Sequence, residues 1–551
     1  MLFLLKKINI KSFFYFFIIF AIYISFYIKT HTMYGQDTFD FINWAEKGIA
    51  LPLEFNCSRH IAYTSLTYLF FKIWVFFGWK QGAIVPLQLM SALFGAGGVL
   101  VFYNILKGLF SSKKFCFIGS LFFAFSYGYW FFSTEAVQTI PALFFRLVGI
   151  LIFLRGPRQR LRIFFFIGLT HGLSTLFDSQ GFWFLFIMIY GIYLFCKKNK
   201  KPELFKKISI YFSTAVLIIF IVYFIVSYFH FNYYSIQDFF KFTWGTGPIH
   251  NEGAGILDAG YTFLQSIMIL DNRYLLQWQT AHIIINGIFI FLFVSIPGFL
   301  FFVRKNINEK EYNLLLLSLV WIIVFFTVYV YKEPLLLDFY IYLLPAFWFI
   351  FITVLWQIKE YSEKKNKGKQ IFNISILVLL IVFIIHNLAY GIYPRSHIKN
   401  SGFYREFMFL ERNAVDRSLV IVLTYDDIDP HYSIYYLNKT NGTFRNLIPI
   451  NYEEEKDYNY ESLLETVKQY DNLTIFILPG NIWKYDKQVE VVNIIKTVNL
   501  IHGEFQYIGL EQDFLNELNK EYEFIMVSNK GKANCSLYNL RKRGKFNYGD
   551  F

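Results

Sequence analysis

The sequence predicts a membrane all-α protein with about eleven transmembrane helices, followed by a soluble α/β domain. Of the 551 residues, 56% are hydrophobic and only 17% are charged, which is too apolar for an ordinary soluble protein. Apolar runs of about 20 residues, the length that crosses a bilayer, recur through residues 1–394. Residues 395–551 lack such runs, and they are long enough to form a domain with its own core.

Eleven apolar runs are candidate spans, and a twelfth run covers residues 60–79. The charges of the loops decide how the twelfth run is assigned, because Lys and Arg accumulate on the cytoplasmic side of a membrane. The eleven predicted spans are 12–28, 83–106, 115–134, 137–154, 163–178, 181–196, 208–230, 281–303, 313–331, 339–358 and 370–391.

The predicted orientation depends on five basic loops, Lys113–Lys114, Arg155–Arg162, Lys197–Lys207, Arg304–Lys310 and Lys359–Lys369. All five are cytoplasmic if the N-terminus is inside and the run 60–79 does not cross the membrane. A crossing at 60–79 would invert every later loop. We therefore predict a juxtamembrane or re-entrant 60–79 segment, a cytoplasmic N-terminus and an extracytoplasmic C-terminus. The outer side then carries two long loops, 29–82 and 231–280.

The tail is predicted to be an extracytoplasmic α/β domain of residues 395–551. Three apolar stretches with strand character and two helical patterns predict it. The predicted strands are Ser418–Thr424, Leu473–Leu478 and Glu523–Val527, and the predicted helices are 459–470 and 487–497. The acidic segment Thr424–His431 follows the first of these strands, where a plain turn is favoured over a ligand site.

Charge and cysteine content exclude several classes of protein. The net charge of +13 lies mainly in short loops between apolar runs, which is typical of membrane topology rather than of nucleic-acid binding. The four cysteines show no paired spacing, so neither a metal site nor a disulfide framework is indicated. No glycine-rich phosphate loop is present.

Two aspartates in the first outer loop are the leading candidates for chemistry. Asp37 and Asp40 lie three residues apart, so a helix would place both on one face. A carboxylate can accept the proton of an attacking hydroxyl, and a second one can tune it, position the acceptor or bind a divalent cation. Spacing alone favours the simpler interpretation, a solvated first turn of a surface helix.

Glu135 is the next carboxylate of interest, because it lies in a very short turn between two apolar runs. A carboxylate this close to hydrocarbon costs about 2–3 kcal/mol or more unless it faces an interface or a cavity. A turn residue that reaches headgroup water is an equally good interpretation of its position. Asp178 occupies the next outer turn, where ordinary turn chemistry explains it.

Several cations are candidates for binding a lipid phosphate on the outer side. Arg59 and His60 open the run 60–79, and Lys332 lies in a later outer loop. Interfacial snorkelling is the structural alternative for such side chains.

Within the apolar runs, Arg146 is a stronger candidate than Lys72, because an intramembrane charge must find a partner. Lys241, His250 and Arg273 are further outer cations that the sequence does not rank.

In their order, these motifs resemble the GT-C-fold membrane glycosyltransferases, in the branch related to protein O-mannosyltransferases. Asp37-Thr-Phe-Asp40 resembles the acidic pair of the first outer loop, with Asp where Glu is usual. His60–Tyr68 resembles a "His-Pro-Pro-Gly-Tyr-Pro-Leu-Tyr" element, with Ile61 and Ala62 in place of the prolines. The resemblance covers roughly residues 30–150 through three further stretches, Ser91–Ala96, Ala124–Trp130 with Glu135, and Ala142–Phe144, and more loosely the strand end Leu423–Asp429.

The resemblance implies an inverting sugar transferase that uses a polyprenyl- or dolichyl-phosphate donor in a bacterial inner membrane or an ER membrane. It implies Asp37 as the base, Asp40 as the alternate and Glu135 as a cavity carboxylate. Arg59, His60 and Lys332 are then expected near the donor phosphate. A surface glycan, a lipid or a protein hydroxyl can be the acceptor, and a divalent cation is neither required nor excluded.

Two other classes of function compete with a transferase. A transporter or flippase of lipid-linked substrates would need intramembrane charges along a continuous path, and only Lys72 and Arg146 qualify. A non-catalytic assembly or binding protein would instead use its outer tail.

Overall fold

Each of the eleven apolar runs becomes helical. The computed structural model describes residues 10–29, 36–51, 60–156, 160–197, 200–230, 255–270, 279–303, 307–332, 334–364 and 368–397, three isolated positions (Ser235, Gln237, Lys399) and five strands of the tail. The chain divides into two units. One unit comprises Met1–Ile28 and Phe41–Ser396, and the other comprises Lys29–Asp40 and His397–Phe551.

The described residues of the first half of the chain form ten helices. They are α1 (Ile10–Ile24), α2 (Gln36–Lys47), α3 (Ile61–Phe76), α4 (Ile84–Lys107), α5 (Lys113–Ala124), α6 (Tyr127–Ser133), α7 (Thr139–Arg155), α8 (Arg162–Phe177), α9 (Phe184–Cys196) and α10 (Lys201–Phe229). A 3-10 turn, Ser179–Trp183, leads into α9. Gly48 and Gly78 follow α2 and α3 with φ of 79° and 87°, the left-handed conformation in which many helices end.

The second half of the first unit contains α11 (Ile256–Ile267), α12 (Gln279–Val294), α13 (Ile296–Val303), α14 (Glu309–Lys332), α15 (Leu337–Tyr340), α16 (Leu344–Lys364), α17 (Gly368–His386) and α18 (Tyr393–Arg395). A 3-10 turn, Ile341–Leu343, joins α15 to α16. A π-helical segment, Asn387–Ile392, joins α17 to α18.

Seven helical segments in the described part of the chain are long and apolar enough to cross a membrane, and a bent pair would make an eighth. Three shorter apolar helices accompany them, including Ile61–Phe76 within the run predicted not to cross. That helix has 16 residues, fewer than the roughly 20 that a span needs. The chain is a multi-pass integral membrane protein, whereas the number of spans and the orientation of its ends remain predictions.

The run 115–134, predicted as one span, is two helices that meet at 71°. The bend between Ala124 and Tyr127 frees a backbone carbonyl, and Asn387 Nδ2 donates to that of Phe125 at 2.9 Å. Ser126 Oγ donates to Phe122 O at 2.9 Å and accepts from Trp348 Nε1 at 2.8 Å. Side chains from two later segments therefore satisfy the polar groups at the bend, as a break in an apolar interior requires.

The segment Leu337–Glu363, which includes α15 and most of α16, is the centre of the bundle. Of the 18 residues in its most hydrophobic stretch, 94% are buried, whereas only 17% are buried in the corresponding stretch of Lys201–Phe229. Phe349 stacks on Phe102 with ring centroids 4.8 Å apart, and Trp348 stacks on Phe122 at 5.4 Å. Packing against protein rather than contact with lipid therefore explains the apolar sequence of α16.

Among the described residues of the second unit, five strands form one sheet in the order β2-β1-β3-β5-β4. They are β1 (Leu419–Thr424), β2 (Asn446–Asn451), β3 (Asn472–Ile477), β4 (Tyr522–Val527) and β5 (Ser536–Lys542). β1 is parallel to β2 and β3, whereas β5 is antiparallel to β3 and β4. The helices expected at 459–470 and 487–497 lie outside the described residues, so the α/β assignment and its boundary at residue 395 remain predictions.

We predict that Gly95→Ala destabilises the bundle by about 1–3 kcal/mol, because a Cβ at this position would lie 2.6 Å from Ser133 Cβ and against Ser133 Oγ. Gly287→Ala is the matched control, since nothing lies within 4 Å of its added Cβ. The control should be neutral or up to about 1 kcal/mol more stable through helix propensity.

Unfolding in detergent measures both variants, and Ser133→Gly added to Gly95→Ala should restore stability. Equal stability of Gly95→Ala and the native protein would contradict the close approach of α4 and α6.

Candidate active site

The turn that carries Glu135 is fully enclosed. It connects the end of α6 at Ser133 to the start of α7 at Thr139, and Glu135 has no exposed surface. Thr134 N donates to Phe131 O at 3.0 Å, and Val137 N donates to Glu135 O at 3.1 Å. The alternative in which Glu135 reaches headgroup water is therefore wrong, because its side chain is buried inside the first unit.

The end of the first span fixes this turn in place. Ile28 N donates to Thr134 O at 3.2 Å, and Gln88 Nε2 donates to Ile28 O at 2.7 Å. Trp130 packs against Phe26 and Phe125 with ring centroids 6.0 and 4.9 Å apart. Residues from three separate parts of the sequence therefore pack around the turn that carries Glu135.

His60 lies at the N-terminus of α3 and is 9% exposed. Its Nδ1 lies 3.3 Å from Phe177 O, and its ring meets Phe41 edge to face at 5.8 Å. Nδ1 must carry a proton, because a carbonyl oxygen only accepts hydrogen bonds. A neutral His60 therefore has its lone pair on Nε2. This bond attaches the start of the 60–79 run to the last residue of α8.

Asp178 follows Phe177 and is 2% exposed. Its Oδ1 accepts from Gln180 N at 3.0 Å, which is the turn chemistry expected from the sequence. Its Oδ2 also accepts a short hydrogen bond from the Tyr342 hydroxyl, which the sequence did not predict. Asp178 therefore both caps the 3-10 turn before α9 and holds the segment that leads into the central helix.

Arg146 is buried in the middle of α7, with 1% of its surface exposed. Its guanidinium carbon lies 3.7 Å from the centre of the Tyr342 ring. Its Nε donates to Ser174 Oγ at 3.0 Å, and Ser174 Oγ donates to Ala142 O at 2.9 Å. The partner that the sequence required for Arg146 is therefore an aromatic face, worth about 2 kcal/mol or more when desolvated, rather than an acid.

Arg146, Tyr342 and Asp178 form one connected group, which we call the Arg146 triad. The Tyr342 hydroxyl donates to a carboxylate, and this raises the electron density of the ring beneath the guanidinium. The positive charge of Arg146 and the negative charge of Asp178 thus both interact with Tyr342, one with its ring and the other with its hydroxyl. The sequence gives no signal for this group, because 164 residues separate Asp178 from Tyr342.

The Glu135 turn, His60 and Asp178 lie at the same end of the bundle. The bond from Ser174 to Ala142 joins the first turn of α7 to the last turn of α8, so these helices run antiparallel with their adjoining turns side by side. Glu135 precedes α7, Asp178 follows α8, and His60 contacts the residue before Asp178. The structure therefore places one predicted carboxylate, one predicted phosphate-binding residue and one acid that the sequence ranked low at the same end of the bundle.

The other predicted site residues are described only in part. Asp37 and Asp40 both lie in α2, one turn apart, as the spacing predicted. Asp40 belongs to the second unit, where it is 8% exposed, and the side chain of Asp37 lies outside the described part. Arg59 also lies outside the described residues, and Lys332 is the last residue of α14, with a side chain that is not among those described.

Among the described residues, no group of three or more His, Cys, Asp or Glu side chains could hold a metal ion.

Comparison with known proteins identifies the fold. The chain is similar to ArnT from Cupriavidus metallidurans bound to undecaprenyl phosphate, with a TM-score of 0.52 over 96% of this chain and 97% of that one at 10% identity. It is also similar to ArnT from the same organism in the apo state, with a TM-score of 0.57 over 95% and 96% at 9% identity. No sequence-family profile and no curated protein sequence matches the chain. ArnT is a GT-C glycosyltransferase, so the likeness shows a GT-C type of fold.

We predict a coupling energy of about 1–3 kcal/mol between Tyr342→Phe and Asp178→Asn in a double-mutant cycle of unfolding in detergent. Tyr342→Phe keeps the ring beneath Arg146 but removes the hydroxyl that donates to Asp178. Tyr342→Leu removes both interactions and should be the least stable of the three single variants. Additive effects of the two substitutions, within about 0.3 kcal/mol, would show that the bond does not hold the bundle.

Proposed function

We propose that this protein is an integral membrane glycosyltransferase that transfers a sugar from a polyprenyl-phosphate-linked donor to an extracytoplasmic acceptor, with inversion at the sugar. The observation that carries the proposal is the likeness to ArnT over nearly the full length of both chains, including an ArnT structure bound to undecaprenyl phosphate.

Asp37 is the proposed base, with Asp40 as the alternate. The base takes the proton of the acceptor hydroxyl as the hydroxyl oxygen attacks the anomeric carbon of the sugar. The bond from that carbon to the phosphate oxygen breaks, and the polyprenyl phosphate leaves with the electron pair. The order of the acidic motifs in the sequence and their place on one turn of α2 support these roles.

Arg59, His60 and Lys332 are the proposed phosphate-binding residues. Negative charge develops on the leaving phosphate, so cations and N–H donors held in place would supply the main catalytic contribution. His60 can take this role as an imidazolium, in which Nδ1–H donates to Phe177 O, Nε2–H donates to the phosphate, and Phe41 packs against the ring. Glu135 is proposed as the acidic neighbour that the resemblance implies, and it would act from within the bundle because its side chain has no exposed surface.

The transporter alternative is disfavoured by the two charges on which it depended. Arg146 is enclosed by Tyr342 and hydrogen-bonded to Ser174, whereas Lys72 is exposed on α3. Charges in these two environments do not form a buried polar path.

We predict that Asp37→Asn lowers kcat by about 10²- to 10⁴-fold, because the amide cannot accept the acceptor's proton. Asp40→Asn and Glu135→Gln should be compared with it, and Glu203→Gln is the exposed control that should retain full activity. Transfer is measured in proteoliposomes with a panel of radiolabelled polyprenyl-phosphate hexoses and pentoses, alongside mass spectrometry of envelope glycans from a deletion strain.

Undiminished transfer by folded Asp37→Asn would remove Asp37 from the role of base, and the same result for Asp40→Asn would remove both. An absence of transfer from the whole panel, together with unaltered glycans in the deletion strain, would overturn the transferase proposal.

We also predict that Ser111 lies on the cytoplasmic side and that the C-terminus lies on the extracytoplasmic side. In a variant with Cys57 and Cys535 replaced by Ser, an impermeant maleimide should label Ser111→Cys only after permeabilisation; the buried Cys116 and Cys196 should not react. A tag appended after Phe551 should be cleaved by protease added to intact spheroplasts. The opposite pattern would place the Glu135 turn on the cytoplasmic side and exclude an extracytoplasmic acceptor.

A further inference from the structure

Three cations from three helices lie together at the end of the first unit that is remote from the Glu135 turn. Lys107 is the last residue of α4, Lys113 is the first residue of α5, and Arg155 is the last residue of α7. The 17 residues of α7 separate Arg155 from the Glu135 turn by about 25 Å. Lys113 and Arg155 both interact electrostatically with Lys107, so the three side chains repel one another. We call them the basic cluster.

The end of α4 does not use the charge of the basic cluster. Cations near the C-terminus of a helix ordinarily bind its last carbonyl groups and compensate its dipole. Here Lys310 Nζ donates to Gly108 O, and Leu106 O accepts from two backbone N–H groups of the following turn at 2.9 and 2.8 Å. Arg155 packs against the same turn, since a Cβ added to Gly108 would lie 3.2 Å from its Nε. Lys310 therefore caps the helix, and the basic cluster keeps its charge for another partner.

The basic cluster has no carboxylate as its electrostatic neighbour among the described residues. Besides one another and Lys113, the groups that interact with Lys107 and Arg155 are the Cys116 thiol and the Tyr103 phenol. Like charges brought together without an acid leave a local excess of positive charge, which favours the binding of an anion.

Two acids of the neighbouring helices have partners of their own. Glu311 Oε2 accepts from Gln357 Nε2 at 2.9 Å, and Glu363 forms an ion pair with Lys359 at 3.1 Å. These carboxylates are therefore engaged on α14 and α16, and the anion that the basic cluster favours comes from outside this part of the chain.

An aromatic surface lies directly beside the basic cluster. Lys107 Nζ is 5.1 Å from the centre of the half-buried Tyr103 ring. The Tyr103 ring meets Tyr15 of α1 at 5.5 Å and Phe117 of α5 at 6.5 Å. Phe117 follows Lys113 by one helical turn and is 40% exposed. A molecule that meets both surfaces has an anionic head and an apolar body, which is the chemistry of a bilayer lipid.

We propose that the basic cluster binds the headgroup of an anionic glycerophospholipid, whose phosphodiester oxygens accept hydrogen bonds from Lys107, Lys113 and Arg155 and whose acyl chains cover Tyr103 and Phe117. Basic pockets between transmembrane helices bind anionic lipid headgroups in this way. A free phosphate ion would meet the same cations but would gain nothing from the aromatic surface. The bound lipid joins α4, α5 and α7, the last of which leads from the Glu135 turn. The site does not depend on the proposed transferase function.

Paired charge substitutions test the headgroup site. Lys107→Gln with Arg155→Gln removes two charges of the basic cluster. Lys201→Gln with Lys206→Gln is the matched control, because it removes the same charge from two exposed lysines at the start of α10. The full chain in neutral detergent is titrated with phosphatidylglycerol and with phosphatidylcholine of the same acyl chains. Native mass spectrometry measures the bound lipid, and unfolding in the same detergent verifies that each variant is folded.

We expect the native protein to bind phosphatidylglycerol more tightly than phosphatidylcholine. Substitution in the basic cluster should weaken phosphatidylglycerol binding about tenfold to thirtyfold, and the control variant should keep the native affinity. Higher salt should weaken the same interaction, because exposed charges are screened. Equal affinity of the native protein for the two lipids, or equal losses in the two paired variants, overturns the site.

A second comparison distinguishes a lipid from a free anion. Phe117→Ala should weaken phosphatidylglycerol binding about threefold to tenfold by removing apolar surface, and Phe165→Ala, at another exposed phenylalanine, should not. Inorganic phosphate should displace the lipid only in large excess. If equimolar phosphate displaces the lipid and Phe117→Ala has no effect, the basic cluster is a free-anion site and the lipid site is excluded.

Discussion

A buried guanidinium is the constraint on which the arrangement of the bundle depends. A guanidinium buried in an apolar interior is costly without compensation, and Arg146 receives it from the ring of Tyr342, whose hydroxyl is bound by Asp178. The three residues belong to α7, to the segment before α16 and to the turn after α8. Satisfying one charge therefore fixes the relative positions of three parts of the bundle, and the Glu135 turn lies directly before one of them.

A close approach between the backbones of α4 and α6 fixes the helix that precedes the Glu135 turn. Gly95 brings α4 against Ser133, and Tyr129 donates to Gly95 O at 2.8 Å. Small residues at such contacts let membrane helices pack through backbone atoms, where the hydrophobic effect gives little driving force. The two helices that flank the Glu135 turn are thus both held in place, α7 by the Arg146 triad and α6 by its close contact with Gly95. Both are interactions that lipid cannot replace.

The sequence predicted what depends on local pattern. The positions of the helices followed from the length of the apolar runs, and the shared turn of Asp37 and Asp40 followed from spacing. The full enclosure of Glu135 was not predicted, because the sequence offered only a cavity or headgroup water for its side chain. The bend at Ser126 was missed, because Trp348 and Asn387, more than 200 residues away, satisfy its polar groups. The partner of Arg146 was missed for the same reason, since a single sequence does not show which distant residues meet.

The enclosed position of α16 has a consequence for how the protein meets membranes of different thickness. Helices with large lipid-facing surfaces, such as Lys201–Phe229, adapt to a thinner or thicker bilayer by tilting. The central segment has almost no surface on which lipid could act, and Tyr342 and Trp348 belong to it. Changes in lipid composition would therefore strain the periphery first, while the distances around Asp178 and Ser126 stay constant.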